Sequence, residues 1–142
     1  MQKVSFEQEI HTFQIDFLGH VNNAVYIQWM EIGRSKLLEA AGMVIDEILK
    51  QDFAPLLVET SIRYRVPLYL GERVRVEVWL SELRKTSGIL QFRFYNDQGT
   101  LVAEGHQKGV FIDTHSLRPR RLRPEERALF LPYLDAKDEG QS

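Results

Sequence analysis

One segment constrains the fold of this 142-residue chain more than any other. From Ala24 to Ala41 the sequence reads as a single long helix: Tyr26, Met30, Gly33, Leu37 and Ala40 recur at steps of three or four, flanked by Ile27, Ile32, Leu38 and Ala41. Val25 and Trp29 lie off that stripe, so the helix is apolar over more than one face. A helix of this kind has to be wrapped by other elements. Its ends are legible as well. Asn22 or Asn23 supplies a cap for the first free N–H groups, and Gly42 tolerates the left-handed conformation that ends a helix.

What does the wrapping follows in the chain. Beyond Phe53 the pattern changes to a period of two. Val58, Thr60, Ile62, Tyr64 and Val66 alternate with Glu59, Ser61, Arg63 and Arg65; Val74, Val76, Val78 and Leu80 alternate with Arg73, Arg75, Glu77 and Trp79; Leu90, Phe92 and Phe94 alternate with Gln91, Arg93 and Tyr95. Strands of this pattern place one face on a core and the other toward water. Turn chemistry separates them at Pro67–Gly71, Lys85–Gly88 and Asn96–Gly99, and short turns between successive strands imply antiparallel pairing. A last strand, Leu101–Ile112, carries Gly105 and Gly109, which imply a bulge or a close approach. Val4–Ile15 reads as a first strand. After Leu117 the chain is basic and then amphipathic, with Pro124-Glu125-Glu126 opening a short helix. No repeat or linker divides it, so residues 1–142 read as one domain with a core over about 4–113 and a tail over 114–142. The expected class is α+β, an antiparallel sheet wrapped around one long central helix.

Charge and composition exclude several functions. Lys plus Arg number 18 against 20 Asp plus Glu, a net charge of −2, which lacks the basic excess of a general nucleic-acid binder. Without cysteine there is no disulfide, thiolate catalysis or Cys-based metal centre. No apolar run is long enough to span a bilayer, and the first residues do not resemble a secretory signal, so a soluble, cytoplasmic protein is expected.

The chemistry concentrates in Asp16-Phe17-Leu18-Gly19-His20-Val21-Asn22-Asn23. An acid lies just before a glycine turn, and the helix begins immediately after. Helix N-terminal N–H groups carry partial positive charge and can hold a developing oxyanion. A carboxylate beside them can attack an acyl carbon or take a proton from an attacking water. On spacing alone, Asp and Asn before a helix are usually caps.

This loop, continued through Ala24-Val25-Tyr26 and followed by Glu31 and Arg34, resembles the signature of hotdog-fold thioesterases. Among them it is similar to the 4-hydroxybenzoyl-CoA thioesterase-like family, in the branch carrying Gly-His-Val-Asn-Asn, and the order of elements agrees from Val4 to about Asp113. The resemblance implies hydrolysis of an acyl thioester of coenzyme A, or in some members of acyl carrier protein. It implies a homodimer or homotetramer with active sites between subunits, and no cofactor, coenzyme A being part of the substrate. Asp16 matches the catalytic carboxylate and the Asn23 backbone N–H the oxyanion donor; Gly19, His20, Asn22 and Tyr26 complete the oxyanion and substrate-binding set. Gln14 departs from the pattern, since many members carry a second acid there. A non-catalytic acyl-CoA-binding module is the alternative outside enzymes.

Other residues compete for roles. Glu31 stands about two turns beyond Asn23, where another hotdog branch keeps its catalytic carboxylate, but its spacing to Arg34 is that of an ordinary helix ion pair. Tyr26 suits core packing as well as an acyl pocket, and Asn22 suits a cap. His20 suits either substrate orientation or a loop hydrogen bond. His11, His106 and His115 have no metal-ligand spacing, so no metal is expected. Arg63, Arg65, Arg73 and Arg75 fit a solvated strand face or contacts to coenzyme A phosphates; Arg118–Arg123 fits a tail that is solvated or packs on a partner chain.

Overall fold

The structure is a computed structural model and describes residues 1–43, 50 and 52–135. Five strands, β1 (Val4–Glu9), β2 (Phe53–Tyr64), β3 (Arg73–Leu83), β4 (Ser87–Tyr95) and β5 (Leu101–Asp113), form one sheet in the order β1-β3-β4-β5-β2. Every neighbouring pair is antiparallel. Helix α1 (Asn23–Ala40) lies against its inner face, and a short helix α2 (Pro124–Phe130) follows the last strand. This is the α+β arrangement expected, with one long helix held by an antiparallel sheet. Among the described residues no helix is long and apolar enough to cross a membrane.

The helix is bounded as its sequence dictates. Asn22 caps it, its Oδ1 accepting from the Ala24 N–H at 2.9 Å. At the other end Gly42 adopts φ +85°, and the Gly42 and Met43 N–H groups donate to the Glu39 and Leu38 carbonyls at 2.9 and 2.7 Å. The buried residues are Val25, Tyr26, Trp29, Met30, Gly33, Leu37 and Leu38. Val25 and Trp29 therefore widen the core-facing stripe instead of defining a second one. Opposite them, Val74, Val76 and Val78 of β3, Phe92 and Phe94 of β4 and Ala103 of β5 are all buried.

Four expectations need correction. The first strand ends at Glu9, not Ile15: Glu9 pairs with Arg73, the first residue of β3, so the ladder has no further partner. Thr12–Gln14 then forms a 3-10 turn, closed by the Gln14 side chain accepting from the His11 N–H at 2.8 Å.

Pro67–Gly71 is no hairpin, because β2 pairs with β5 while β3 lies between β1 and β4. The connection is pinned by Leu68, which is fully buried and whose carbonyl accepts from the Val21 N–H at 2.9 Å. Burial of that one leucine carries the chain past the start of α1 to the far side of the sheet.

The alternation over Val58–Val66 does not form a buried face: Val58, Tyr64 and Val66 are exposed, and Ile62 alone of its large apolar residues packs against the core. Val58 is an unpaired bulge between Leu57 and Glu59, and β2 is an edge strand.

The tail, finally, packs on its own sheet. Phe130 is buried against Phe111, with ring centroids 5.8 Å apart, and Arg120 pairs with Glu126 at 2.9 Å beneath the Phe53 ring. Only Arg118, Arg121 and Arg123 of the basic run point to solvent.

Gly105 proves to be a close approach. A Cβ there would lie 2.4 Å from the Ser61 carbonyl oxygen, whereas one on Gly109 would meet nothing nearer than 3.7 Å. Gly105→Ala is expected to cost about 1–3 kcal/mol, the usual penalty of overpacking, and Gly109→Ala far less. Urea unfolding of the two variants beside the parent checks this.

Candidate active site

Residues 14–22 fold into a small hairpin that delivers the chain into α1. The Asn22 N–H donates to the Gln14 carbonyl at 2.8 Å, Ile15 bridges Val21, and the Asp16 N–H donates to the His20 carbonyl at 2.8 Å. The turn closes with the Gly19 N–H donating to the Asp16 carbonyl at 3.0 Å, and Gly19 takes φ +81°, which favours glycine. Gln14 thus serves the hairpin through its backbone.

Asp16 has two distinct oxygens in this setting. Oδ1 accepts from the Leu18 N–H at 2.9 Å and the His20 N–H at 3.1 Å, and so builds the turn. Oδ2 receives no hydrogen bond from the described residues. The start of the helix divides in a similar way. Ala24 is bound by the Asn22 side chain and the Val25 N–H by the Asn22 carbonyl at 2.9 Å, but the Asn23 N–H has no acceptor among the described residues. Asn23 is exposed, and its own carbonyl accepts from the Tyr64 hydroxyl at 3.1 Å, which ties the first helical residue to the end of β2. One hairpin therefore carries an uncommitted carboxylate oxygen on Asp16 and leads, three residues after its Asp16–His20 pair, to an uncommitted N–H on Asn23.

The neighbours of this pair are aromatic and apolar. His20 is half-buried, bridged to Tyr69 and meeting its ring edge-on at 5.1 Å. Tyr26 is buried among Trp29, Tyr64 and Phe94, at centroid distances of 5.3, 5.0 and 5.5 Å, so it belongs to the aromatic core beneath the loop. Its burial, with the nearby Tyr64 and Glu72, pushes the hydroxyl up to about 12, while the Leu68 backbone acts weakly the other way. Burial also raises Tyr64. Both phenols are neutral at ordinary pH and can donate a hydrogen bond but not serve as a base. The tip of the hairpin leaves Phe17 and Leu18 exposed, the former almost completely.

Glu31 is committed elsewhere. One oxygen pairs with Arg34 and the other accepts from Gln107 Nε2 at 3.2 Å. Three of the four strand arginines are also paired: Arg65 with Glu104 at 2.6 Å, Arg73 with Glu7 and Glu9 at 3.4 and 3.1 Å, and Arg75 with Glu77. Arg63 is exposed and has no ion pair among the described residues. The remaining histidines are dispersed: His11 stacks on Phe13, His106 lies 3.8 Å from Glu59, and His115 lies 2.6 Å from Asp52.

Two residues of the site were not singled out in the sequence. Tyr64 reads there as one more apolar strand position. Gln107 carries a usable signal: Ala103, Gly105, Gln107, Gly109 and Phe111 alternate along one face of β5, and a lone amide on a face of small and apolar residues marks a buried polar contact.

Known proteins share both the sequence pattern and the architecture. The chain is 27% identical over 117 residues to the putative acyl-CoA thioesterase YneP of Bacillus subtilis, covering 82% of this chain and 85% of that protein. It is 27% identical over 135 residues to the chloroplastic acyl-acyl carrier protein thioesterase ATL3 of Arabidopsis thaliana, covering 93% and 70%. The structure superimposes on the DHNA-CoA thioesterase of Staphylococcus aureus with a TM-score of 0.85 over 99% of this chain and 95% of that one, at 18% identity, which establishes a shared fold. The pattern that defines the Thioesterase-like superfamily runs through residues 10–130, from just after β1 to the end of α2, and the chain belongs to that superfamily.

Proposed function

We propose that this protein is an acyl-CoA thioesterase, releasing a carboxylic acid and free coenzyme A. The observation that carries this reading is that one hydrogen-bonded connection has both a free Asp16 Oδ2 and a free Asn23 N–H among the described residues. The N–H, reinforced by the partial positive charge of the α1 terminus, polarises the thioester carbonyl and holds the oxyanion that forms on it. Asp16 Oδ2 takes the proton of a water attacking the carbonyl carbon, or attacks that carbon itself and is released by water. Collapse of the tetrahedral centre expels the thiol sulfur, which leaves with a proton. Carboxylate and helix terminus supply both catalytic needs, so the scheme calls on no metal or redox cofactor. The naming of YneP as a putative acyl-CoA thioesterase supports coenzyme A as the carrier, and a cytoplasmic location suits that substrate.

The functional unit in this reading is a homodimer. Strand β2 ends the sheet with one edge unpaired among the described residues, and Leu56, Val58 and Tyr64 are exposed along it. Pairing two such edges about a two-fold axis extends the sheet and brings each Asp16 hairpin beside the partner's α1. Light scattering at micromolar concentration is expected to give at least twice the chain mass; a monomer with full activity would refute the shared site.

The mutational test sets Asp16 against Glu31. Asp16→Asn keeps an acceptor for the Leu18 and His20 N–H groups, so the turn survives, but the amide is neither base nor good nucleophile. Turnover of the best substrate in an acyl-CoA panel, followed by thiol release, should fall by about 10²–10⁴ with the oligomer intact. Glu31→Gln should cost much less, because its carboxylate is engaged by Arg34 and Gln107. An inactive Glu31→Gln beside an active Asp16→Asn would move the chemistry to the helix.

Arg63, Arg118 and Arg121 are exposed without ion pairs among the described residues and are placed by this reading at the nucleotide phosphates. Such contacts are screened over about 8 Å at physiological salt. KM for acyl-CoA should therefore rise with ionic strength while kcat stays nearly constant, as initial rates across a salt series will measure.

A further inference from the structure

The inner face of the sheet is not filled along its whole length. Toward the C-terminal half of α1, Gly88 of β4 pairs directly with Gly109 of β5, and bare backbone faces the helix at both positions. Leu37, Leu57, Leu90 and Phe130 stand around this floor, and the pocket they line has a cavity volume of about 50 Å³ and opens to solvent. Its lining is apolar, with Phe111 and Phe130 among leucines, except for Arg34 and Gln107.

These two residues carry two unanswered polar atoms. Gln107 is 1% exposed, and its Nε2 donates to Glu31 Oε1 at 3.2 Å and to Thr60 Oγ1 at 3.4 Å. Because a carboxylate oxygen only accepts, this contact fixes which way the amide points. Oε1 is left buried without a donor. Arg34 holds the other oxygen of Glu31 through Nη2, and its Nη1 is buried without an acceptor. An acceptor and a donor thus stand on either side of one carboxylate, on two residues that line an otherwise apolar pocket. Most buried polar groups find partners, and a ligand that leaves these two unpaired forfeits binding.

The chemistry selects the ligand. Arg34 is already neutralised by Glu31, so a second carboxylate would meet Glu31 and Gln107 Oε1 without a free positive charge to hold it. A ketone would answer Arg34 alone. A hydroxyl can donate to Gln107 Oε1 and can accept from Arg34 Nη1, so it suits either atom, and it brings no charge into the pocket. We propose that this pocket receives the acyl part of the substrate and selects an aliphatic acyl group bearing an uncharged hydroxyl, which Gln107 and Arg34 bind. The inference rests on the acyl-thioesterase reading above for its substrate class, and on the pocket alone for its selectivity.

The test uses the full chain and two readouts. Calorimetry measures the affinity of a medium-chain fatty acid, of its isomers hydroxylated at each successive carbon, and of the dicarboxylic acid of equal length. Thiol release measures turnover of the corresponding coenzyme A thioesters. At least one hydroxylated acid should bind about ten- to a hundredfold more tightly than the unsubstituted acid, with the dicarboxylic acid weakest. Gln107→Met, which keeps the volume and removes Oε1, should abolish that preference while retaining the unsubstituted acid. Gly109→Val, which fills the floor, should weaken every acid in the series. Equal affinity for plain and hydroxylated acids would overturn the proposal, as would a preference that survives Gln107→Met. Hydroxyl-selective binding with no thioester cleaved would leave the pocket assignment standing and remove the catalytic one. Cleavage with no hydroxyl preference would do the reverse.

Discussion

The close contact between α1 and the sheet at Gly33 is the constraint on which the other features depend. A Cβ at this position would lie 3.0 Å from the Phe92 ring and 3.3 Å from the Phe6 ring, so the helix rests on two aromatic side chains from β4 and β1. Glycine inside a helix costs about 1 kcal/mol relative to alanine. Burying a single large apolar side chain recovers about 1.5–3 kcal/mol, and the close approach buries Trp29, Met30, Phe92 and Phe94 almost completely. The balance favours contact around Gly33. Where the small residues shift from the helix to the strands, at Gly88 and Gly109, the same geometry leaves a pocket in place of a contact.

The helix so fixed has one end available for chemistry. Its N-terminus is held from two sides, by the Asn22 cap within the hairpin and by the Tyr64 hydroxyl from β2. Asp16 can shape the turn and still offer the proposed reactive oxygen, because a carboxylate has two oxygens and the turn uses one. The cap and turn reading of this acid and the catalytic reading are therefore compatible. Glu31 illustrates the opposite case. Its spacing from Asn23 suits catalysis, but Arg34 and Gln107 take both of its oxygens.

Edge strand β2 connects these two regions. Tyr64, near its end, touches the helix start, Thr60 reaches Gln107, and Leu57 lines the pocket. The bulge at Val58 lets the strand change which residues face inward between Thr60 and Leu57. Exposed apolar residues on a strand with this placement couple the site to whatever covers the edge, which is why a second copy of the chain enters the functional reading.

Local signals sufficed for much of this. The three-to-four-residue recurrence around Tyr26, Met30, Gly33 and Leu37, the Asn22 cap and Gly42 dictate one buried helix, and the alternation in Val74–Leu80 and Leu90–Phe94 dictates strands with an inner face. The Asp16–Asn23 motif located the candidate site because its residues are contiguous and its hydrogen bonds span four residues or fewer around Asp16. Periodicity, however, specifies a face and not a neighbour. That β2 lies beside β5 instead of β3, that the Val58 side is exposed, and that the strand before the hairpin stops at Glu9 were decided by long-range pairing and by the burial of Leu68. The meeting of Gln107 with Glu31, 76 residues apart, and the facing of Gly88 on Gly109 exist only in the folded sheet. Helix, strands and candidate loop are legible in the chain because each depends on residues within a few positions of one another. Strand order and the pocket are not, because they depend on which distant surfaces bury the most apolar area together.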